Sequence, residues 1–233
     1  MNTHKLLTYA LNSDNRLMYI NDVPNGLECN CICPGCKEKL IAKNDGKVRE
    51  HHFAHASNKE CITGYQTMIH LLAKDIIENF KIFPMALNGK YLSACEVYKE
   101  VNLNQFGFIP DIFGFTPITD GPNIIGKIPV IIEIFVTHKV DEEKKNKIIK
   151  AGIPAMEIDL STVKFSTINE LAKEIYNSKN WNLINGKIGQ QYLPQIQIPV
   201  QQLVNMYRAT FGSYSNTPRY TNSGSRKYYR RRK

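Results

Sequence analysis

The segment Val130–Val136 reads VIIEIFV, an almost continuous apolar run that carries one carboxylate. Its length and its β-branched residues predict a buried strand. Glu133 stands in the middle of the run, and an unpaired carboxylate is costly to bury. We therefore expect Glu133 to lie at a strand end, to pair with another group or to bind a cation.

A second carboxylate precedes this run, namely Asp111, which directly follows Pro110. Two carboxylates on neighbouring strands repel each other, and a divalent cation relieves that repulsion. Mg²⁺ binds through one or two carboxylates with waters and substrate phosphate, and it can activate water for phosphodiester hydrolysis. Asp111 and Glu133 are therefore candidate Mg²⁺ ligands. The alternative is an edge strand with Glu133 on its solvent-exposed face and a turn at Pro110-Asp111.

Predicted strands and helices alternate along the chain, which favours the α/β (α+β) class with a mixed β-sheet flanked by helices. The first helix is predicted from apolar residues that recur at spacings of three and four. Predicted strands lie at 6–11, 16–20, 40–43, 48–53, 92–101, 106–115, 130–136 and 155–160, predicted helices begin near 64, 141 and 167, and predicted turns lie at 12–15 and 116–129.

Polar side chains that could serve a site lie on the first helix and after the central strand. Gln66, His70 and Lys74 recur at intervals of four and so form one polar stripe. Thr137 and His138 directly follow the strand, where a hydroxyl could orient water or phosphate and an imidazole could act as general acid or base. The alternatives are a solvated helix face for His70 and a polar strand end for His138.

Composition excludes several classes of protein. The 233 residues are 42% hydrophobic and 22% charged, too apolar for a wholly disordered chain. No run approaches the ~20 apolar residues of a membrane-spanning helix, and the N-terminal residues lack the pattern of a secretory signal. We therefore expect a cytoplasmic protein with no membrane association.

The net charge of +9 is concentrated at the C-terminal end. Residues 226–233 hold six Lys or Arg and no acid, which leaves 24 basic and 21 acidic residues, a charge of +3, in the rest. A dense basic tail with interleaved tyrosines favours nucleic-acid phosphates and bases; the alternative is a solvated, disordered terminus. The expected organisation is a hairpin and metal module at 1–62, a core at 63–180, and a Gln/Pro-rich segment with a basic disordered tail at 181–233.

Cysteine spacing predicts a metal site. Four of the six cysteines fall within eight residues, and Cys33–Cys36 form a C-x-x-C knuckle. In a cytosolic chain such spacing indicates metal rather than disulfides, and thiolate with imidazole ligands selects zinc. The favoured ligand set is Cys33, Cys36, His55 and Cys61, which would be structural because four protein ligands leave no position for water.

Other ligand sets remain open at this point. His52 could replace His55 or Cys61, since a short strand would point His52 and His55 to opposite faces. Cys31 alternates with Cys33 and could reach the same ion. The alternative without a metal is a set of free buried thiols with a histidine pair in the core.

Taken in chain order, these pieces resemble the competence protein CoiA-like family, predicted nucleases of the PD-(D/E)XK superfamily. The resemblance covers about residues 26–160. It implies a zinc-binding module ahead of a nuclease core, with Asp111 and Glu133 as metal-binding acids and nucleic acid, expected to be DNA, as the partner. The matching pieces are Cys33–Cys36, His52–His55, the helix at 66–78, Pro110-Asp111, Ile132–Ile134 and Thr137-His138.

Two positions depart from the family pattern. The superfamily has a lysine two residues after the second acid, where this chain has Phe135, and the family often has a glutamate where Gln66 stands. Lys139, Lys144 or Lys74 could supply the missing cation. The resemblance thus implies a Mg²⁺- or Mn²⁺-dependent nuclease. The alternatives are a zinc-containing nucleic-acid-binding protein without catalysis and a zinc-stapled protein-interaction module.

Overall fold

The computed structural model describes residues 6–59, 61–83, 91–120, 122–186 and 195–196. These residues form three α-helices, namely α1 (Ile62–Phe80), α2 (Glu142–Ala151) and α3 (Ile168–Ile175). The strands are β1 (Tyr9–Leu11), β2 (Leu17–Tyr19), β3 (Leu40–Lys43), β4 (His52–His55), β5 (Ile82–Phe83), β6 (Tyr91–Ser93), β7 (Glu96–Lys99), β8 (Ile112–Asp120), β9 (Asn123–Phe135), β10 (Ala155–Asp159), β11 (Trp181–Asn185) and β12 (Gln195–Ile196).

A five-stranded mixed sheet with the order β11-β10-β9-β8-β7 forms the centre of the fold. β7, β8 and β9 form an antiparallel meander, β10 runs parallel to β9, and β11 is antiparallel to β10. Parallel neighbours need a crossover connection, and α2 lies in the one between β9 and β10. The mixed α/β architecture expected from the sequence is confirmed.

Alternate residues of β9 face two different cores, as the two-residue period of a strand requires. Val130, Ile132 and Ile134 belong to the larger buried cluster, which also contains side chains of α1 and α3. Ile131 belongs to a smaller cluster with Ile148 of α2. Helices therefore cover both faces of the sheet, with α1 and α3 on one face and α2 on the other.

The turn region expected at 116–129 is wrong, because β8 and β9 extend through it as a long hairpin. The register runs from Ile112↔Ile132 to Asp120↔Asn123. Pro117 and Pro129 both lie in a two-stranded part of the hairpin. β7 pairs with β8 only up to Phe115, and β10 pairs with β9 only from Ile131. A proline without an N–H is tolerated at such an edge.

The N-terminal residues form two antiparallel hairpins, β1–β2 and β3–β4. The first confirms the hairpin expected around 12–15. The second begins its return strand at His52 rather than at Val48, and it pairs Leu40 with His55. The backbone N–H of Tyr9 lies 3.3 Å from the Sδ of Met68, so the first hairpin packs on α1.

Other predicted elements need smaller corrections. The strand expected at 92–101 is divided into β6 and β7, and the strand expected at 106–115 begins only at Ile112. No helix in the described ranges has both the length and the apolar character needed to cross a bilayer. The basic tail at 226–233 lies outside the described residues.

Candidate functional site

Four potential metal ligands converge at the start of α1, namely the thiols of Cys33, Cys36 and Cys61 and the imidazole of His55. Their ligand atoms all lie within 4.8 Å of one another. The Sγ atoms of Cys33 and Cys61 are 3.8 Å apart, and the Sγ of Cys36 is 3.3 Å from the Nε2 of His55. A tetrahedral site with Zn–S bonds of ~2.3 Å separates its sulfurs by about 3.8 Å, so the donor set fits zinc.

Local structure positions each of these ligands. The backbone N–H of Cys33 donates to the carbonyl of Glu38 at 2.8 Å, which closes the knuckle into a tight turn. The β3–β4 register places His55 at the end of its strand, opposite Leu40. Cys61 is the N-cap residue of α1. A turn, a strand end and a helix start therefore deliver the four ligands to one point.

The knuckle packs directly on the first turn of α1. A Cβ atom built on Gly35 would lie 2.6 Å from the Oγ1 of Thr63. A Cβ atom on Gly64 would lie 2.9 Å from the Sγ of Cys33 and 3.4 Å from the Sγ of Cys61. Both positions therefore require glycine, because any side chain there would push the knuckle off the helix.

The thiols of this cluster differ in how readily they ionise. Burial opposes ionisation of Cys61, but hydrogen bonds with Thr63, Cys36, Cys33 and the Gly64 N–H lower its pKa to about 6. Burial raises the pKa of Cys33 to about 12. Zinc takes up thiolates, so metal binding must release a proton from Cys33.

The alternative ligands proposed from the sequence are not in the cluster. His52 lies at the other end of β4, where its Nδ1 is 2.9 Å from the carbonyl of Glu50. Cys31 is buried with its Sγ 3.2 Å from the carbonyl of Cys29, and burial raises its pKa to about 12. The sequence left these choices open because it does not show the strand register.

A cleft of about 440 Å³ lies beside the same turn of α1, between that helix, the start of β8, the end of β9 and the start of α2. Seven of the eight side chains predicted for the nuclease site line it. They are His70, Asp111, Glu133, Thr137, His138, Lys139 and Lys144.

Three nitrogen atoms contact the carboxylate of Asp111, one each from His70, Lys74 and the backbone of Ile134. The Oδ2 of Asp111 lies 3.0 Å from the Nε2 of His70 and accepts the backbone N–H of Ile134 at 2.8 Å. The Nζ of Lys74 is 3.8 Å from its Oδ1. Burial by itself would raise the pKa of Asp111, but these neighbours hold that pKa below its ordinary value, so Asp111 is ionised at neutral pH.

Glu133 is almost completely buried, with 2% of its surface exposed. Its Oε2 accepts a hydrogen bond from the Nζ of Lys144 at 2.8 Å, whereas its Oε1 is buried with no hydrogen-bond partner among the described residues. Burial and the charge of Asp111 raise the pKa of Glu133 to about 7, against the opposing effect of Lys144. A buried oxygen without a partner, beside a second carboxylate, is an arrangement that a cation would stabilise.

The three candidate lysines lie in different environments. Lys144, on the first turn of α2, contacts Glu133 across the cleft. Lys139 extends over the ring of Phe135, with its Nζ 5.4 Å from the ring centroid. Lys74 is 2% exposed and lies 2.5 Å from the Oε1 of Glu100, so it contacts Asp111 from behind and does not line the cleft.

Thr137 and His138 are exposed on the loop that connects β9 to α2. Gln66 lines the cleft from α1, one helical turn before His70. The structure thus brings together the polar groups that the sequence singled out on the helix and after the strand.

The comparisons with known proteins bear on the N-terminal part of the chain. Residues 25–64 match the family model described as competence protein CoiA, N-terminal domain. This segment is similar to the N-terminal domain of the competence protein CoiA family. The resemblance to the CoiA-like family inferred from the sequence is therefore confirmed over this segment. Comparisons with curated proteins and with solved structures gave no significant match.

The segment that matches the family model contains all four members of the metal cluster and ends in the first turn of α1, the helix that lines the cleft. Thr63 connects the two, because its Oγ1 is 3.5 Å from the Sγ of Cys61 and the residue also lines the cleft. Sequence reasoning missed Thr63. The available signal was its position two residues after a candidate ligand.

Two glutamates that contact the Asp111–Glu133 region, one buried and one exposed, also escaped the sequence analysis. Glu157 pairs with Glu133 in the parallel register, is 4% exposed, and accepts the backbone N–H of Val140 at 2.8 Å. Glu100 accepts from Lys74 and donates its own N–H to the carbonyl of Asp111 at 3.1 Å. An acid inside the short apolar strand at 155–160 was the available signal for Glu157.

Proposed function

We propose that this protein is a Mg²⁺- or Mn²⁺-dependent nuclease that hydrolyses phosphodiester bonds of DNA, with a PD-(D/E)XK-type core and a structural zinc site. The observation that carries the proposal is the meeting of Asp111 and Glu133 in one cleft, where Glu133 Oε1 is buried without a hydrogen-bond partner in the described part of the chain. A structural role alone would not explain a buried carboxylate oxygen that has no partner and lies beside a second carboxylate.

Asp111 and Glu133 would hold the divalent ion. Such an ion, when bound, polarises a phosphate and lowers the pKa of a water. The protein's own contribution is to keep Asp111 ionised through His70 and Lys74, and to hold Glu133 almost fully buried, where electrostatic interactions are strong.

Lys144 is the lysine that best replaces the one missing at Phe135. Its Nζ lies 2.8 Å from Glu133 Oε2, so it supplies a cation beside the carboxylate pair where a phosphate and an attacking water would meet. Lys139 is engaged with the Phe135 ring, and Lys74 is buried behind Asp111. Thr137 would orient phosphate or water, and His138 would donate or accept a proton at the cleft's mouth.

A second function, nucleic-acid binding without catalysis, is favoured by one specific observation. Phe135 stands at the position of the superfamily lysine, and a phenyl ring cannot contact phosphate or position water. In that case the carboxylate pair would be a remnant of an active site, and the zinc-containing module would be the binding element.

A cleavage assay separates the two functions. Labelled single- and double-stranded DNA would be incubated with the zinc-loaded protein, with and without Mg²⁺ or Mn²⁺, beside Asp111→Ala/Glu133→Ala and a control, Glu143→Gln, from the exposed face of α2. The proposal predicts metal-dependent cleavage that the double variant loses and the control keeps. Equal DNA binding with no cleavage by any protein would contradict it and favour the binding function.

A further inference from the structure

A second groove, of about 700 Å³, lies on the other side of α1 from the cleft. Tyr65 and Met68 line this groove, whereas Gln66, Thr67 and His70 line the cleft. With 3.6 residues per turn, these two sets of side chains leave the helix axis in nearly opposite directions. The groove and the cleft are therefore separate surfaces that share one helix.

An aromatic pair forms part of the groove wall. The rings of Tyr65 and Phe165 are 6.3 Å apart between centroids and inclined by 25°, an offset stack. Tyr19 adds a third ring to the lining. Flat aromatic surfaces of this kind stack on nucleobases whatever their sequence, because every base presents a π-face.

Positive charge surrounds these rings. Lys47, Arg49 and Lys164 line the groove and are exposed, and within the described ranges none of the three forms an ion pair with a carboxylate. Of the residues that line the groove, only Glu50 is acidic. The groove therefore presents a net positive charge to an anionic ligand.

The loop that carries two of these cations is held in place. The Nδ1 of His51 is 2.5 Å from the Oδ1 of Asn21, and its Nε2 is 2.8 Å from the carbonyl of Gly46. His51 thus connects the segment bearing Lys47 and Arg49 to the N-terminal hairpin. The charges are presented by an anchored loop rather than by a free one.

We propose that this groove binds an unpaired segment of a nucleic-acid strand, with bases against the Tyr65–Phe165 stack and phosphates at Lys47, Arg49 and Lys164. The choice of a nucleic-acid ligand rests on the proposed function. The groove itself uses none of the carboxylates or lysines assigned to cleavage. An acidic peptide would use the cations but would leave the aromatic pair without a role, so the nucleic-acid strand is favoured.

The test measures binding of a fluorescent oligothymidylate of about 12 nucleotides to the full chain, loaded with zinc and without added Mg²⁺ or Mn²⁺, so that binding is separated from cleavage. Arg49→Gln/Lys164→Gln removes two groove charges. Lys173→Gln/Lys179→Gln removes two exposed charges outside the groove and gives the same net charge. Phe165→Leu removes the stacked ring and keeps an apolar side chain.

The double variant Arg49→Gln/Lys164→Gln, the groove pair, is expected to raise the Kd for the oligonucleotide about tenfold. It should also reduce the slope of log K against log salt concentration by about 1.4, because each phosphate contact on a single strand contributes about 0.7. Phe165→Leu is expected to raise the Kd by about tenfold, and a duplex of the same length should bind more weakly than the single strand. The control pair should retain the wild-type Kd and salt slope.

The proposal is overturned if the groove pair behaves like the control pair, if the duplex binds as tightly as the single strand, or if polyglutamate displaces the oligonucleotide as well as unlabelled oligothymidylate does. A protein that binds through the groove but never cleaves would support this inference while the nuclease proposal fails. If the protein cleaves DNA but the groove variants bind the oligonucleotide normally, the nuclease proposal is supported and the groove proposal fails.

Discussion

The Oγ1 of Thr63 lies 3.5 Å from the Sγ of Cys61, and the same threonine lines the cleft that contains Asp111 and Glu133. One turn of α1 therefore belongs to both the metal cluster and the cleft. Loss of a ligand from the cluster should therefore displace the cleft residues on the first turn of α1, since a helix start without its packing partner frays.

Loss of a cluster ligand should reduce both stability and cleavage. Cys36→Ser removes a thiolate from the four-ligand set, so the chain should bind less than one equivalent of zinc and unfold at a lower temperature. Zinc content by mass spectrometry and thermal unfolding would measure this. Cys95→Ser is the matched control, because Cys95 lies outside the cluster and donates to the carbonyl of Phe115. A fully folded, active Cys36→Ser protein without zinc would contradict this coupling.

Gly64→Ala should destabilise the protein although alanine favours helices. A helical Gly→Ala change normally stabilises by up to about 1 kcal/mol. Here the new Cβ would lie 2.9 Å from the Sγ of Cys33 and 3.4 Å from that of Cys61, so zinc affinity and the melting temperature should both fall. Gly46→Ala is the control, since nothing lies within 4 Å of its Cβ position. Unchanged zinc affinity in Gly64→Ala would show that the knuckle does not depend on this contact.

Stability without added divalent ion should fall as the pH rises from about 4.5 to about 7. Burial and the charge of Asp111 raise the pKa of Glu133 in the folded state to about 7, above its unfolded value, so its contribution is fully present at low pH and is lost as the pH rises through about 7. Between pH 5.5 and 8 the loss should be about 2 kcal/mol. The low pKa of Asp111 acts only in more acidic solution.

Glu133→Gln isolates this contribution. Urea unfolding of the zinc-loaded wild type and variant at several pH values should give curves that diverge between about pH 4.5 and 7 and run parallel above that range, with the variant the more stable at pH 8. The difference between the two proteins removes pH effects from the thiols, which both share. Curves that stay parallel from about pH 4.5 to 7 would mean that Glu133 does not titrate in this range.

Lys144→Gln should lower the cleavage rate by about 10²-fold or more while leaving DNA affinity nearly unchanged, because its cation lies beside the carboxylate pair. Lys147→Gln, on the same helix and paired with the exposed Glu143, should cleave normally. Adding Phe135→Lys to Lys144→Gln should restore part of the rate, since it returns a lysine to the superfamily position. Single-turnover cleavage would measure all three. Equal cleavage rates for Lys144→Gln and Lys147→Gln would mean that Lys144 does not replace the superfamily lysine.

The sequence was most informative where chemistry and spacing coincide. The C-x-x-C knuckle with His55 and Cys61 pointed to the four groups that the structure brings together. Glu133 stood out because a carboxylate inside an apolar strand needs a physical reason. Whether His52 or His55 joins the cluster depends on the β3–β4 register, which a single sequence does not reveal.

Long-range contacts account for what the sequence did not predict. The helical spacing placed Lys74 in one polar stripe with His70, but the side chain is buried and pairs with Glu100 from a distant segment. The hairpin at 112–135 was missed because its prolines mimic a turn signal, and only the partial pairing with β7 and β10 shows why they are tolerated. Lys144 emerged as the lysine beside Glu133 because the β9–α2 crossover folds it back over the strand.

The central claim is that Asp111 and Glu133 together form a divalent-cation site, and Mn²⁺ binding followed by electron paramagnetic resonance tests it most directly. The zinc-loaded wild type should bind one Mn²⁺ per chain, as should Glu143→Gln. Asp111→Asn and Glu133→Gln should each abolish that binding while keeping their zinc and their fold. Wild-type stoichiometry and affinity in both cleft variants would contradict the account.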